Sequence, residues 1–526
     1  MSTISHPALG SLRGVTFAST IQYRNIPYAR FNGRFKEATL SDGPISSSGT
    51  VYDATEWGPL CPQTKNGIKF DFALAGVELP HIDDYRMSEE EGLNAVITVP
   101  KDIQAGAKLP VIVWIHGGYW VVGGNSWPQY DLQNLVELSI RLGSPVIGVA
   151  FNYRLGVAGL LASEDLESNG NFGIKDQVLG FQWLQKHIAG FGGDPSNITA
   201  FGESAGAMLL STLLQLSSAL FNKALVMSGS ATLRPSKTEL QQKALYNDVI
   251  NHLNLAENTA KERVEELSTR NIESIISSLP PLLHVGPSLE PGFLDEIVTL
   301  ETISEKTTPS WCDEIVIGDC FHDASCFKTR VLNHENNAAY FIACIESVLE
   351  PASAQAIINS YHIAASNSPE ESLVHCMELL TDLRWYLPIL HFALDQKQGS
   401  STAISRYHFH QTNKFDCQWK GLAAHLFDIT LLLQNHSDLL QDDDLKLSKD
   451  MAERFLNFAY GRGFVSEAEG GSEGNVVVWG PNGHTKIVSA DEYDEMLRNG
   501  RGRLLRSLGW ETCEELANAL QFGPKK

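Results

Sequence analysis

Short, wholly apolar runs alternate along this chain with longer stretches whose apolar residues recur at helical spacing. "PVIVWIH" (110–116) opens into His-Gly-Gly and reads as a buried strand ending in a glycine loop. "SPVIGVAFNYRL" (144–155) gives a second buried strand. Over 173–195, Val178, Phe181, Trp183, Leu184 and Ile188 follow a helical spacing that Gly190 to Pro195 stop, and "NITAF" (197–201) resumes as a strand. "AGAMLLSTLLQL" (205–216) then reads as a helix, and "KALVMSG" (223–229), "DEIVIGD" (313–319) and "ISRYHFHQT" (404–412) as further strands. "QDDDLK" (441–446) reads as a solvated surface loop. Strands alternating with helices imply a mostly parallel sheet covered on both faces, the α/β class. With no internal repeat or linker in sight, residues 1–526 are expected to form one α/β domain, with helical insertions around 236–300 and 350–395.

Charge narrows the choice of ligand. The 62 acidic against 40 basic side chains leave a net charge of -22, which repels nucleic acid and anionic membrane surfaces and favours neutral or cationic small molecules. No apolar run reaches the eighteen or so residues of a spanning helix, so no membrane anchor is expected. The first residues, "MSTISHPALGSLRGVTF", have neither the basic start nor the apolar core of a secretory leader, which points to the cytoplasm. Eight cysteines, seven of them after residue 311, fit reduced thiols in that compartment. Cys312, Cys320 and Cys326 cluster without a CxxC spacing, and His408 and His410 share one strand face. Neither set makes a convincing metal site, and no metal or organic cofactor is implied.

The chemistry centres on "TAFGESAGAM" (199–208). Gly-x-Ser-x-Gly alone is weak in a chain with 43 glycines among 526 residues, but here Ser204 falls between a strand and a helix. A serine hydroxyl needs a base to take its proton, a third group to orient that base, and donors for an oxyanion. Gly202 and Gly206 suit an abrupt strand-to-helix turn that has no room for Cβ atoms, and the helix start offers the Ala205 amide. "WIHGGYWVVGG" (114–124) supplies a second set of donors, the amides of Gly118 and Tyr119. His116 is expected to support that loop.

These stretches carry a family resemblance. "YRNIPYARFNGRF", "EEGLNAVITVP", "FNYRLG" and "GFQWLQKHIAGFGGDPSNITAFGESAG" resemble the signature blocks of the type-B carboxylesterase/lipase family, α/β-hydrolases that include the cholinesterases. The resemblance implies the α/β-hydrolase fold and a triad ordered serine, acid, histidine. "GDCFHDASCF" (318–327) fits the family's acid frame with Asp323 in the acid position, where most relatives carry glutamate; Asp319 is the rival. "GLAAHLFDI" (421–429) fits the histidine frame, making His425 the base and Asp428 a neighbour. Glu203 and Ser228 occupy positions that border the site in relatives and are expected behind the reacting groups.

Departures from the family sharpen the expectation. The resemblance pairs Cys61 with a cysteine where Gly92 stands here, and no cysteine lies between 62 and 311, which suits an intracellular, fungal-type member. Choline-handling relatives carry a tryptophan where the count reaches Ile82, so a cholinesterase is not expected. The third glycine usual in the oxyanion loop is Tyr119, whose side chain, beside Trp120 and Trp127, either shapes the pocket mouth or packs under the loop. The expected protein is a carboxylic ester hydrolase, monomeric or homodimeric, working through an acyl-enzyme on small to medium, largely apolar esters. The alternatives are an acyltransferase, lactonase or cyclase with the same triad, and a non-catalytic cholinesterase-like binding module.

Overall fold

The apolar runs become the strands of one thirteen-stranded sheet. The computed structural model describes residues 2–46, 49–103, 106–394, 402–471 and 474–524. In chain order the strands are β1 (Ser2–His6), β2 (Gly10–Thr16), β3 (Thr20–Pro27), β4 (Val51–Ala54), β5 (Asn94–Pro100), β6 (Leu109–Ile115) and β7 (Ile147–Phe151). They continue with β8 (Gly193–Glu203), β9 (Lys223–Met227), β10 (Glu314–Cys320), β11 (Ala403–Phe409), β12 (Asn475–Trp479) and β13 (Thr485–Ser489). Across the sheet they lie in the order β1-β2-β3-β5-β7-β6-β8-β9-β10-β11-β12-β13, with β4 beside β2. Every neighbouring pair from β7 to β12 is parallel. The consecutive pairs outside that block, from β1 to β7 and from β12 to β13, are antiparallel.

The parallel block is apolar along its whole length because helices cover both of its faces. All five residues of β7 and of β9 are buried, as are six of the seven in β6. The helix α1 (Phe172–His187) buries Phe181, Trp183 and Leu184, and the helix α2 (Ala205–Leu213) buries every one of its residues. Further helices span Glu239–His252, Ala260–Thr269 and Ile272–Ser278, then Pro351–Ser360, Pro369–Thr381 and Leu387–Leu394. Residue 395 lies outside the described residues. No helix among the described residues is long and apolar enough to cross a membrane.

One expectation is corrected. The acidic run 441–446 is not a loop but the start of an 18-residue helix, Asp442–Ala459. Asp442, Asp443 and Asp444 occupy its first turn, where carboxylates face the positive end of the helix dipole. Asp444 is buried there, accepting a bond from Gln411 Nε2 at 2.5 Å. The charge that read as solvation is an N-terminal helix signal.

Parallel strands direct their carboxyl ends to one side of the sheet, where sites in open α/β sheets form. The turn after β8 is built for close backbone approach. Ser204 adopts φ 56°, ψ −122°, which a non-glycine residue holds only under strain of about 1–3 kcal/mol. A Cβ on Gly202 would sit 2.7 Å from the Gly206 carbonyl carbon, and one on Gly206 only 2.1 Å from the Ile115 oxygen. Gly206→Ala is therefore expected to destabilise the fold by about 3 kcal/mol, or to abolish soluble protein, because the obstacle is backbone. Thermal denaturation measures it; an unchanged melting temperature contradicts the packing described here.

Candidate active site

Five loops meet at the carboxyl ends of β6, β8, β9, β10 and β11, and each brings one of the residues singled out in the sequence. The imidazole of His425 is the centre. Its Nδ1 lies 2.7 Å from Asp323 Oδ1, and both side chains are fully buried. Asp323 opens a short 3₁₀ turn after β10, and its second oxygen accepts the Cys320 amide at 2.8 Å.

Backbone bonds bring the short Asp323 side chain within reach of the histidine. His322 N donates to the Ala423 oxygen at 2.9 Å, Ala423 N to His322 Nδ1 at 3.2 Å, and His425 N to Ser325 Oγ at 3.0 Å. These bonds lace the histidine loop onto the acid loop. Asp319, the rival acid, goes elsewhere: it holds His408 Nδ1 at 2.5 Å and Arg498 Nη2 at 3.1 Å. Arg498 also pairs with Asp382, and all three charged groups are buried, so Asp319 belongs to a network tying β10 to the C-terminal helices. His408 stacks on Tyr493 at 3.9 Å between ring centroids, and His410 bonds the same tyrosine's hydroxyl at 2.8 Å. Asp428 accepts the Tyr407 hydroxyl at 2.7 Å.

Nε2 of His425 lies 3.1 Å from Oε1 of Glu203, the residue before Ser204. Ser204 itself is buried, with its amide donated to the Met227 oxygen at 3.0 Å. The glycine loop after β6 passes directly over it: a Cβ on Gly117 would lie 3.2 Å from Ser204 Cβ. Gly118, Tyr119 and Trp120 all have positive φ (98°, 57° and 63°), which turns successive amides in one direction. Among the described residues nothing accepts a bond from the amides of Gly118, Tyr119 or Ala205. A Cβ on Gly118 would meet the Val122 oxygen at 2.2 Å, so glycine is required there. His116 stacks on Tyr153 at 4.5 Å and bonds the Gly117 oxygen at 2.9 Å, supporting this loop from behind.

The same fold and the same stretches occur in known proteins. The model of the carboxylesterase family matches residues 2–481. This chain belongs to the carboxylesterase family. As a member it is a hydrolase of carboxylic ester bonds. It is 30% identical over 463 residues to Lipase 3 of Yarrowia lipolytica (strain CLIB 122 / E 150), covering 84% of each chain. It is 28% identical to the para-nitrobenzyl esterase of Bacillus subtilis (strain 168), covering 76% of this chain and 77% of that one. A solved PNB esterase structure, 24% identical, superposes with a TM-score of 0.74 over 95% of this chain and 99% of that chain, which establishes the α/β-hydrolase fold.

Within this carboxylesterase fold the Cys61 position keeps its geometry without a partner. A Cβ on Gly92 would fall 3.0 Å from Cys61 Sγ, and all eight cysteines are free. Trp120 and Trp127 are buried, and Trp120 Nε1 donates to the Ala205 oxygen at 2.6 Å; they pack under the loop, not at a pocket mouth. Tyr119 is buried too, its hydroxyl donating to the Cys326 oxygen. Ser228 sits behind the site: its carbonyl accepts Trp385 Nε1 at 2.8 Å, and its hydroxyl faces Cys320 Sγ at 3.8 Å.

Electrostatically the centre is a set of buried carboxyls around one imidazole. Burial first, then Asp428, Asp323 and Asp71, push Glu203 well above the usual carboxylate range. Burial raises Asp323 to about 6 despite its bond to His425. Asp71, which the sequence reading missed, is likewise raised to about 6 by burial, and accepts Gln129 Nε2 and the Tyr130 hydroxyl. Its only sequence signal is an aspartate inside the apolar stretch "IKFDFALAGV". Trp385, whose ring centroid is 6.3 Å from that of His425, was also missed. It lies in a π-helical turn (Asp382–Tyr386) that periodicity does not mark.

Proposed function

We propose that Ser204 attacks the ester carbonyl while His425 Nε2 takes its proton, and that Asp323 holds the imidazole in the required tautomer. The observation that supports this reading is the 2.7 Å contact between His425 Nδ1 and Asp323 Oδ1, with Nε2 3.1 Å from Glu203, the residue that precedes Ser204. A proton on Nδ1 leaves the lone pair on Nε2, where a base needs it. The tetrahedral oxyanion takes the amides of Gly118, Tyr119 and Ala205, each contributing up to about 3–4 kcal/mol in the transition state. His425 then protonates the departing alcohol, and water, activated by the same imidazole, releases the acid from the acyl-enzyme. The substrate is a small to medium ester. Eight unpaired thiols fit a reducing compartment.

Labelling with a p-nitrophenyl phosphonate tests the nucleophile. The expected result is one adduct per chain on the peptide containing Ser204, with complete loss of p-nitrophenyl butyrate hydrolysis; a label elsewhere removes Ser204 from the mechanism. Product analysis with a competing alcohol separates hydrolysis from acyl transfer, and free acid as the dominant product is expected.

The raised Asp323 carboxyl sets the pH dependence. As pH falls through about 6 it takes up a proton and no longer accepts from Nδ1–H, so kcat/KM is expected to decline below that pH and to level off above it. The stability contribution of this group runs the other way. The folded chain holds the proton more tightly than the unfolded one, whose value is near 3.8, so the contribution is lost as pH rises through that window. A kcat/KM profile flat down to pH 5 contradicts the assignment. Because burial and the neighbouring carboxyls disfavour a charge on Glu203, Glu203→Gln is expected to change kcat by less than about tenfold at pH 7, while Glu203→Ala leaves a cavity beside Nε2 and costs more. Steady-state kinetics of the two variants at pH 7 measure the difference.

A further inference from the structure

The chain carries a net charge of -22, yet beside its oxyanion loop it collects cations with no carboxylate among them. Arg234 is buried, 6% exposed, and Lys237, His284 and Arg330 are half-buried around it. The guanidinium carbons of Arg330 and Arg234 lie 4.8 Å and 5.8 Å from the centroid of the Tyr119 ring. Lys237 Nζ is 3.2 Å from His284 Nδ1. None of these groups forms an ion pair with a carboxylate among the described residues.

Part of this has a structural use. Arg234 Nη1 bonds the Val285 oxygen at 2.6 Å, and Arg330 Nη2 bonds the Leu282 oxygen, so the two arginines clamp the 282–285 segment. That accounts for one nitrogen of each fork. Nε and Nη2 of Arg234 have no partner among the described residues. Buried cations are ordinarily paired, because leaving such a charge without a counter-ion costs several kcal/mol. The strain is visible in the titration of the group: burial, then mutual repulsion, lowers Arg234 to about 9, Lys237 to about 8 and His284 to about 2.

The cluster is close to the chemistry. Arg234 Nη1 is 3.5 Å from the carbonyl oxygen of Tyr119, whose own amide is one of the oxyanion donors proposed above. Ordinary backbone dimensions then put the guanidinium no more than about 10 Å from the oxyanion. Gly286 packs against the same group: a Cβ there would be in ordinary contact, at 3.7 Å, with both Lys237 Cε and the Trp120 ring.

We propose that this cluster binds a carboxylate carried by the ester substrate, so that the preferred substrates are hemiesters of short dicarboxylic acids. The proposal rests on the esterase reading and names the substrate class for it. A guanidinium fork matches a carboxylate in geometry, and a single negative charge is cheaper to bring out of water than a phosphate dianion. The overall acidity of the protein does not oppose this. Charges more than a Debye length away are screened, whereas the cluster acts at contact distance.

Two measurements decide it. The first compares kcat/KM for the monoethyl and diethyl esters of succinic, glutaric and adipic acid, in wild type and in Arg234→Met and Arg330→Met. Wild type is expected to favour at least one hemiester over its diester by about tenfold or more, and each variant to reduce that ratio by about ten- to a hundredfold. The second needs no variant: free glutarate is expected to inhibit wild-type p-nitrophenyl butyrate hydrolysis competitively, and neutral glutaramide not to. Equal or better use of the diesters, together with no inhibition by glutarate, overturns the carboxylate site while p-nitrophenyl butyrate hydrolysis leaves the esterase reading standing. Failure of wild type to hydrolyse p-nitrophenyl butyrate as well as all of these esters overturns the esterase reading instead.

Discussion

Ser204→Ala is expected to lower kcat for p-nitrophenyl butyrate by about 10⁴- to 10⁶-fold, the largest effect of any single substitution in this protein. Removing Oγ removes the acyl-enzyme route altogether, while the Gly118, Tyr119 and Ala205 amides remain to polarise a carbonyl. Residual activity above the uncatalysed rate is therefore expected, and its size measures those amides. The fold is expected to survive. Alanine has the same Cβ as serine and meets the same strain at φ 56°, and among the described residues the Ser204 hydroxyl makes no hydrogen bond that the change would remove. The thermal midpoint is accordingly expected within about 1 kcal/mol of wild type, in contrast to Gly206→Ala. A Ser204→Ala protein that folds and keeps more than a tenth of the wild-type kcat would show that another group attacks the ester.

Asp323→Asn is expected to cost about 10⁴-fold in kcat with little change in KM. The asparagine amide can donate to Nδ1, which forces the imidazole proton onto Nε2 and leaves no lone pair facing the serine. Shape is preserved, and the side-chain oxygen can still accept the Cys320 amide. Asp319→Asn is the control that separates the two candidate acids. Asp319 bonds His408 and Arg498, not His425, so its loss weakens a buried ion network and is expected to lower stability by about 3–5 kcal/mol while leaving the pH profile of the surviving enzyme unchanged. Paired kinetic and thermal measurements decide between them: a 10⁴-fold loss in Asp319→Asn with a near-normal Asp323→Asn would reverse the assignment.

Much of this site was legible because its signals are local. The strand, the serine and the helix of the β8–α2 elbow are consecutive, and Gly202 answers a backbone clash with Gly206 only four residues away, although Gly206 itself answers one with the distant Ile115 oxygen. The strand ends at Ile115, Met227, Cys320 and Phe409 follow from apolar runs only long enough to cross a buried sheet. The reading failed where one residue type serves two purposes. Three aspartates at 442–444 look alike on a solvated loop and at a helix start, and only the dipole of the helix that follows gives them their role. The π-helical turn at 382–386 was invisible for a related reason: it breaks the period by which helices are found.

The sequence by itself determined the class of fold and the strand–serine–helix elbow, because each is encoded by neighbours within about ten residues, whereas the frames around Asp323 and His425 were legible only through the family resemblance. It left the choice between Asp319 and Asp323 to spacing alone. Tertiary structure separates them, sending Asp319 near the end of β10 to Arg498 and Asp323, four residues on in the turn that follows, to His425. It also buried Glu203 among Asp71, Asp323 and Asp428, which raises its affinity for a proton, and it assembled the cations at 234, 237, 284 and 330 around Tyr119. Burial and long-range electrostatics are properties of packing between distant segments, and no window along the chain contains them.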